Sequence, residues 1–543
     1  MAEVRVVPVW RRRLVLACAI AALVLLPLIP GVLATGSVAA LVRIPVESIV
    51  VLLVLALVPW RMLRIACATL FGVFVSVAVL LASIDRGYEA ALGIHFVPLD
   101  WPQLADAYGV VASAIGSAPA SALFTAAVAL IVAVGVAAGW AALHVDRVLR
   151  HRGDRGRAAL AAVTVGWIVM AAVAPPLRIA DPVAAAASAT SVGSAVSRAV
   201  SALETRARVA REVADDPFAD APATNLVTAL AGKAVLFVFV ESYGRVALEG
   251  DGISDGVNEV LRRGDGALAA DGYSTRSAWL TSPTYGGVSW LAHSTLQTGV
   301  WIDSQAVYDL VVRTDRLTLS AAFGRAGWYT VSDVPSNRHP WDIGSSFYDY
   351  DTLLDATNVG YRGPSFGYAR IPDQYTLKHF ADHVLTGAER PVMAEIDLVS
   401  SHTPWAPLPE LVPWSDVGDG SIFDGQPARS VQASEVWKDA ATVQRYYGLS
   451  VEYSLESMLS FLENVDDPNL VVVMLGDHQP AAIVSGDHAS HDVPISVIAR
   501  DPAVFDAIAD WGWSPGLRPA EGAPVWRMDA FRDRFFAAFG SAR

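Results

Sequence analysis

Five apolar stretches near the N-terminus constrain this chain more than any other feature. They cover residues 14–33, 38–60, 65–84, 122–143 and 158–177. Each is about as long as the ~20 residues a helix needs to cross a bilayer. Within lipid a backbone must satisfy its own hydrogen bonds, so such stretches are expected to fold as helices. The second stretch is the weakest. Arg43 and Glu47 interrupt it, four apart on one helical face, with Arg43 placed to snorkel outward. Pro27 and Pro30 predict a kink in the first, which a membrane helix tolerates. Four further spans follow the first, which argues against a cleaved signal peptide.

The arginines predict an orientation. Arg5, Arg11, Arg12 and Arg13 precede the first span, Arg61 and Arg64 separate the second and third, and Arg147, Arg150, Arg152, Arg155 and Arg157 separate the fourth and fifth. The loop 85–121 carries only Arg86. Positive loops stay inside, so five spans that start inside end outside. The sequence therefore predicts a transmembrane domain over residues 1–180, a juxtamembrane helical linker over 181–224 and an extracytoplasmic domain over 225–543 of a multi-pass protein of the cytoplasmic membrane. The linker is rich in Ala, Ser, Val and Arg, with a spacing that allows one or two amphipathic helices on the membrane surface.

The net charge of −14 comes without any basic stripe with interleaved aromatics, so nucleic-acid binding has no support. Both cysteines, Cys18 and Cys67, fall inside apolar stretches. The large C-terminal portion thus has neither a disulfide nor a cysteine for zinc or nucleophilic chemistry. In that portion strand-like runs at 235–240, 329–332, 392–398, 470–475 and 495–499 alternate with helical patterns at 288–296, 317–326, 375–384, 440–465 and 530–539. Such alternation predicts an α/β fold with a mostly parallel sheet.

Two of these runs carry chemistry. Ala234-Val235-Leu236-Phe237-Val238-Phe239-Val240 ends in Glu241, and Leu470-Val471-Val472-Val473-Met474-Leu475 ends in Gly476-Asp477-His478. Continuous apolar runs read as strands buried on both faces, and open α/β sheets build their sites at the carboxyl ends of such strands. Two carboxylates and an imidazole meeting there make a site for a hard divalent cation. Between the runs lies the hydroxyl-rich turn Thr281-Ser282-Pro283-Thr284-Tyr285-Gly286-Gly287. A metal beside a hydroxyl nucleophile suggests phosphoryl or sulfuryl transfer. The competing reading makes Glu241 and Asp477 simple helix N-caps after their strands.

Taken together, Val240-Glu241-Ser242, the threonine-containing turn, Ser401-His402-Thr403-Pro404-Trp405 and Gly476-Asp477-His478 resemble the alkaline phosphatase superfamily. Within it the chain resembles the branch of lipoteichoic acid synthases and phosphoethanolamine transferases, which also place five membrane helices before an extracytoplasmic sulfatase-like domain. The resemblance implies one divalent metal (Mn, Mg or Zn) held by Glu241, Asp477, His478 and a threonine. That threonine would attack a lipid phosphodiester and form a phosphothreonine intermediate. Thr284 is the first choice, because it shortly precedes Gly286-Gly287 and a helical pattern whose N-terminus would face a phosphate. Thr281 or Ser282 is the runner-up, and Ser289 the remaining hydroxyl. Thr281 stands where sulfatases start Cys-x-Pro-Ser, but neither the Cys/Ser nor the Arg of their formylglycine motif is present, which disfavours a true sulfatase.

The resemblance also implies that His402 touches the substrate phosphate or the leaving group. Arg338 and Trp341, in Asn337-Arg338-His339-Pro340-Trp341-Asp342, resemble a segment that contacts glycerol phosphate in lipoteichoic acid synthases. His491, with His488 the weaker candidate, would serve a second metal or the substrate, with Asp397 and His402 as further second-metal donors. The implied reaction transfers phosphoglycerol or phosphoethanolamine from a membrane phospholipid to an envelope glycan or glycolipid. A hydrolase of the same superfamily is the second reading. A catalytically silent scaffold is the third; burying Glu241, Asp477 and His478 together without a cation argues against it.

Overall fold

The computed structural model describes residues 8–92, 95–104, 108, 117–173, 184–222, 225–368, 370–486 and 489–541. The chain divides into two compact units, Met1–Glu89 with Ile94–Glu204, and Ala90–Gly93 with Thr205–Arg543.

The first unit is built from helices α1 (Val9–Leu25), α2 (Ile29–Thr35), α3 (Val46–Leu57), α4 (Arg61–Leu92), α5 (Ser117–His151), α6 (Asp154–Val173) and the start of α7 (Ala187–Ala214). Among the described residues four helical segments are long and apolar enough to cross a membrane: Val9–Thr35, Arg61–Ala90, Ser117–His151 and Asp154–Val173. The second expected span departs from the prediction. It begins as a short 3-10 turn, Val38–Leu41, then Ile44–Pro45 form a strand (β1) that pairs with Ala184–Ala185 (β2). Only 12 residues, Val46–Leu57, are α-helical. At 1.5 Å per residue this helix is about 18 Å long, short of the ~30 Å of a hydrocarbon core. Pro45 explains the late start, since it lacks the N–H a helix interior requires. The C-terminal carbonyls of α3 are nevertheless satisfied, with Arg150 donating to the oxygens of Leu55 and Val58.

Helices α4 and α5 approach closely because glycines line their contact. A Cβ on Gly72 would lie 2.3 Å from the Gly135 oxygen, and one on Gly139 2.8 Å from the Ala68 oxygen. Small residues at such crossings are how helices associate where no water drives them together.

The second unit centres on a sheet in the order β10-β4-β9-β8-β3-β7-β5-β6, with β11 also paired to β4. Its strands are β3 (Ala234–Val240), β4 (Ser274–Thr281), β5 (Tyr329–Val334), β6 (Thr352–Asp355), β7 (Val392–Leu398), β8 (Leu470–Gly476), β9 (Asp492–Ala499), β10 (Ser514–Pro515) and β11 (Val525–Arg527). The pairings among β8, β3, β7, β5 and β6 are parallel, whereas β9 is antiparallel to both β8 and β4. The sheet is thus mixed rather than mostly parallel. A parallel return from β8 to β9 would need a crossover helix, and the connection holds only the four-residue helix Ala482–Ser485. The other notable addition is β4, whose Ser-Thr-Arg-Ser-Ala-Trp-Leu-Thr sequence lacks an apolar run.

The central strands are buried on both faces, as their composition requires. Val235, Phe237 and Phe239 of β3 join one core cluster and Leu236, Val238 and Val240 the other. Val471, Val473 and Leu475 of β8 divide from Leu470, Val472 and Met474 in the same alternation. The larger helices of this unit are α8 (Ser254–Ala270), α9 (Ser289–Thr298), α10 (Ala440–Asn464) and α11 (Ala530–Phe539). The last three lie within two residues of the helical patterns in the sequence, except that α9 starts one residue late and ends two beyond. Residues 187–214 form one helix, and Val209 and Val213 near its end belong to the core of the second unit.

Candidate active site

Strands β3 and β8 are hydrogen-bonded neighbours, with Val240 opposite Gly476. Glu241 and Asp477 therefore leave adjacent parallel strands at the same level. Both are buried, as is His478. Gly476 is required by this crowding, since a Cβ there would lie 1.9 Å from the Tyr243 oxygen.

Each group in the cluster has a fixed orientation. Asp477 Oδ1 accepts from the backbone N–H of Ser242 at 2.7 Å and of His478 at 2.7 Å. Its Oδ2 is buried without a hydrogen-bond partner. His478 Nδ1 lies 2.8 Å from the Gln479 carbonyl, so it carries the proton and donates. That leaves the Nε2 lone pair facing Glu241 Oε1 at 3.4 Å, Asp477 Oδ2 at 3.4 Å and Ser289 Oγ at 3.2 Å. Ser289 Oγ also donates to Glu241 Oε2 at 3.0 Å. The ligand atoms of Glu241, Asp477 and His478 lie within 4.8 Å of one another.

An orphaned carboxylate oxygen, a second carboxylate that accepts from the Ser242 and Ser289 hydroxyls, and an imidazole lone pair thus converge at one point. This set fits a hard divalent cation. The electrostatics agree. Burial, followed by the Glu241 carboxylate, raises the pKa of Asp477. For Glu241 burial acts upward, but His402, His478 and the Ser242 and Ser289 hydroxyls outweigh it and bring the pKa down to about 2.

Ser289 reaches the cluster because the chain before it is strained. Val288 has φ 58°, a left-handed conformation that a β-branched residue rarely adopts, and Ser242 beside Glu241 has φ 56°. Such strain costs about 1–3 kcal/mol and persists where the surroundings over-determine it, which is common at functional sites. Ser289 then opens α9, so its hydroxyl sits at a helix N-terminus. From there the helix presents Ser289, His293 and Gln297 on one face, at spacing i, i+4, i+8.

The structure places the sequence-predicted hydroxyls elsewhere. Thr284 is buried, with its Oγ1 3.3 Å from Ser282 Oγ and its N–H bonded to the same oxygen. Ser282 Oγ in turn donates to the Asp477 carbonyl at 2.6 Å. Thr281 ends β4 and donates to Asp492 Oδ1 at 2.9 Å. The hydroxyl contacts of the 281–284 turn thus run to one another, to the Asp477 carbonyl and to the Asp492 carboxylate, while the hydroxyl that touches both Glu241 and His478 is that of Ser289. His491 Nδ1 lies 3.3 Å from the Ser282 carbonyl, with its ring tilted against Tyr285. His488 lies outside the described residues.

His402 stands close enough to lower the pKa of Glu241, and its ring stacks on Tyr368 at 4.0 Å. Tyr368 belongs to no motif and went unread in the sequence; burial, then Glu241, raises its phenol pKa, while Arg338 opposes. Arg338 and Trp341 line a cavity of about 570 Å³. Trp341 packs its ring against Tyr348 and Tyr350.

A second, largely buried group lies beside this one; of its members the sequence singled out Asp397 alone, as a second-metal donor, whereas His293 on α9 and Glu395 inside the apolar run of β7 went unread. His293 Nδ1 is 2.9 Å from Glu395 Oε1 and 3.5 Å from Asp397 Oδ1, and its ring stacks on Phe239 at 3.7 Å. Burial works against the His293 proton, but Asp397 and Glu395 outweigh it and raise the pKa to about 9. Gln297 and Tyr350 donate to the other Glu395 oxygen. These donors could also hold a cation.

On the next strand but one from β3, both oxygens of Asp333 are buried without hydrogen-bond partners. Burial, then Asp397, raises its pKa to about 8. The native state therefore holds a proton that the unfolded chain releases above pH ~4, and stability should fall as pH rises from about 4 to 8, by up to ~1.4 kcal/mol per pH unit. Asp333→Asn should remove this slope. Thermal unfolding of the detergent-solubilised full chain should give curves for variant and parent that meet near pH 4 and diverge toward pH 8. Parallel curves would show that Asp333 does not hold this proton.

No protein-family model matches the chain, and no curated protein matches it. Solved structures do. The lipooligosaccharide phosphoethanolamine transferase A of Neisseria meningitidis, an integral membrane protein, matches at 14% identity over 97% of this chain and 95% of its own, with a TM-score of 0.47. The lipoteichoic acid synthase LtaP of Listeria monocytogenes matches at 15% identity over 50% of this chain and 67% of its own, with a TM-score of 0.33. A protein of the alkaline phosphatase superfamily from Vibrio parahaemolyticus matches at 17% identity over 51% of this chain, with a TM-score of 0.35, and the match spans only 62% of that protein.

Proposed function

We propose that this chain is a metal-dependent transferase that moves an alkyl phosphate group, of the phosphoglycerol or phosphoethanolamine type, from a membrane phospholipid to an envelope glycan or glycolipid. The observation that carries the reading is the Ser289 hydroxyl, 3.0 Å from Glu241 Oε2 and 3.2 Å from His478 Nε2 beside the unpartnered Asp477 Oδ2. Ser289, rather than Thr284 or Thr281, is the nucleophile of this reading. Its ester is then a phosphoserine rather than a phosphothreonine.

Glu241, Asp477, His478 and Ser289 would hold one divalent cation, which lowers the hydroxyl pKa and offsets charge on the phosphoryl oxygens. In this reading Ser289 Oγ would release its proton to solvent and attack phosphorus, the bond to the diacylglycerol oxygen would break, and His402 would give that oxygen a proton that the acceptor hydroxyl later restores to the imidazole. The free N–H groups that open α9 face the phosphate. Arg338 can grip it bidentately while Trp341 and Tyr368 wall the head group. An acceptor hydroxyl then displaces Ser289. His491 would support the turn beneath Asp477 or a second cation.

The reading keeps the division into membrane residues 1–180, linker 181–224 and extracytoplasmic catalytic residues 225–543. It counts the whole segment 38–57, the 3-10 turn and β1 together with α3, as one crossing beside the four long helices, so that the arginine-rich loops stay in the cytoplasm.

The test incubates the purified full chain and a divalent cation with phosphatidylglycerol or phosphatidylethanolamine labelled in the head group. Label should leave the lipid as diacylglycerol forms and appear on an added glycolipid. Label released only as a free phosphate ester would replace the transferase with a hydrolase, and no cleavage of either lipid would reject the reading.

A further inference from the structure

The membrane unit contains a cavity of about 490 Å³ whose lining is mixed in a telling way. Its lining has an apolar part, including Leu33, Ala34 and Ala82, and a polar part with three guanidinium groups, Arg43, Arg86 and Arg198, and two carboxylates, Asp85 and Glu89. Its volume lies within the ~300–1,000 Å³ of small-molecule sites.

The polar part is built rather than incidental. Asp85 Oδ1 accepts from the Phe96 N–H at 2.8 Å and pairs with Arg198 at 3.2 Å, while Oδ2 meets His95 at 3.2 Å. Arg198 also donates to the Phe96 carbonyl at 2.8 Å. Asp85 therefore aims Arg198 without consuming all its donors. Among the described residues Arg86 pairs with Glu89, at 3.2 Å, and both are about half exposed. Such an exposed pair is weak and opens at little cost.

The depth of the cavity also matters. Helix α4 starts at Arg61, on the arginine-rich end of the bundle, and reaches the cavity about 24 residues later at Asp85. At 1.5 Å per residue this is about 36 Å, roughly one hydrocarbon thickness, so the cavity lies at the opposite interface. The exposed Trp101, edge-on to the buried Phe96, marks that level as a membrane interface would.

The geometry points to a glycerophospholipid site: a phosphodiester held by Arg43, Arg86 and Arg198, with acyl chains running along the apolar part. The inference rests on the transferase reading only in identifying this lipid with the donor; the binding itself is independent of turnover. Arginine forks match phosphate oxygens, and water-poor surroundings strengthen the pairing.

The test uses the full chain in detergent, carrying Ser289→Ala so that bound lipid survives. Native mass spectrometry titrates it with dioctanoyl phosphatidylglycerol, dioctanoyl phosphatidylethanolamine, dioctanoylglycerol and inorganic phosphate. Both phospholipids should bind, and dioctanoylglycerol and phosphate alone should not. Arg198→Gln should weaken phospholipid binding at least tenfold. Ser194→Trp, which fills the cavity without touching charge, should do the same. Unchanged binding in both variants would overturn the site, and binding of inorganic phosphate as tight as that of the lipids would reduce it to an anion site. Both variants should match the parent in elution volume and in far-ultraviolet circular dichroism, which checks their folding. A parent inactive on every substrate would sink the transferase reading while leaving the lipid titration to decide the cavity.

Discussion

Replacing Ser289 with alanine should abolish the chemical step, with kcat falling by about 10³-fold or more, while Thr284→Ala should leave turnover within about tenfold of the parent. The asymmetry follows from hydrogen bonds. Ser289 Oγ contacts Glu241 and His478, whereas Thr284 Oγ1 contacts Ser282. Because Ser282 supports the Asp477 carbonyl, the 281–284 turn acts through position rather than chemistry. Stalling the enzyme with donor lipid and no acceptor should trap the phosphoryl adduct. All the candidate hydroxyls fall on one tryptic peptide, residues 277–313, so fragmentation on either side of Val288 decides between them. An adduct on the N-terminal side of Val288, or normal turnover by Ser289→Ala, would return the role to the threonine turn.

Asp477→Asn should empty the metal site. The variant keeps the shape of the side chain and one acceptor for the Ser242 and Ser289-facing wall, but it loses the negative charge and the orphaned Oδ2. Metal content, measured by plasma mass spectrometry on the full chain, should fall from about one equivalent to near zero, with affinity down by well over the ~10–100-fold that outer partners of a ligand are worth. Activity should fall with it, and chelation of the parent should reproduce that loss until Mn, Mg or Zn is restored. The parent should also lose thermal stability on chelation, since a ligand bound only by the native state stabilises it by mass action. Retention of both metal and turnover in Asp477→Asn would remove this assignment.

Much of the second unit was legible from residue order. Runs such as 234–240 and 470–475 are apolar without interruption, and only a strand covered on both faces buries every residue of such a run. Once both are parallel strands, Glu241 and Asp477-His478 must emerge on one edge, which is why three of the four groups around the candidate cation could be named before any coordinates. The long helices of the first 173 residues follow from the same kind of constraint, because lipid leaves the backbone no alternative.

Other features needed the third dimension. Strand β4 carries no apolar run, so Thr281 read as turn rather than as a strand end, and the hydroxyl register shifted with it. Whether Ser289 or Thr284 faces Glu241 depends on the left-handed Val288, a conformation its own sequence disfavours and only the packing of α9 against the sheet imposes. His293, Glu395 and Asp397 come from segments about a hundred residues apart, and the two acids sit within a strand otherwise apolar, so nothing local announces the pairing. The short α3 and the antiparallel β9 have the same origin: chain connections and neighbours chose among structures that the local pattern left equally open. Sequence alone determined which side chains the strand ends deliver, since burial of apolar runs is a local demand. Tertiary structure decided which hydroxyl stands beside them, because that choice is made by packing between segments far apart in the chain.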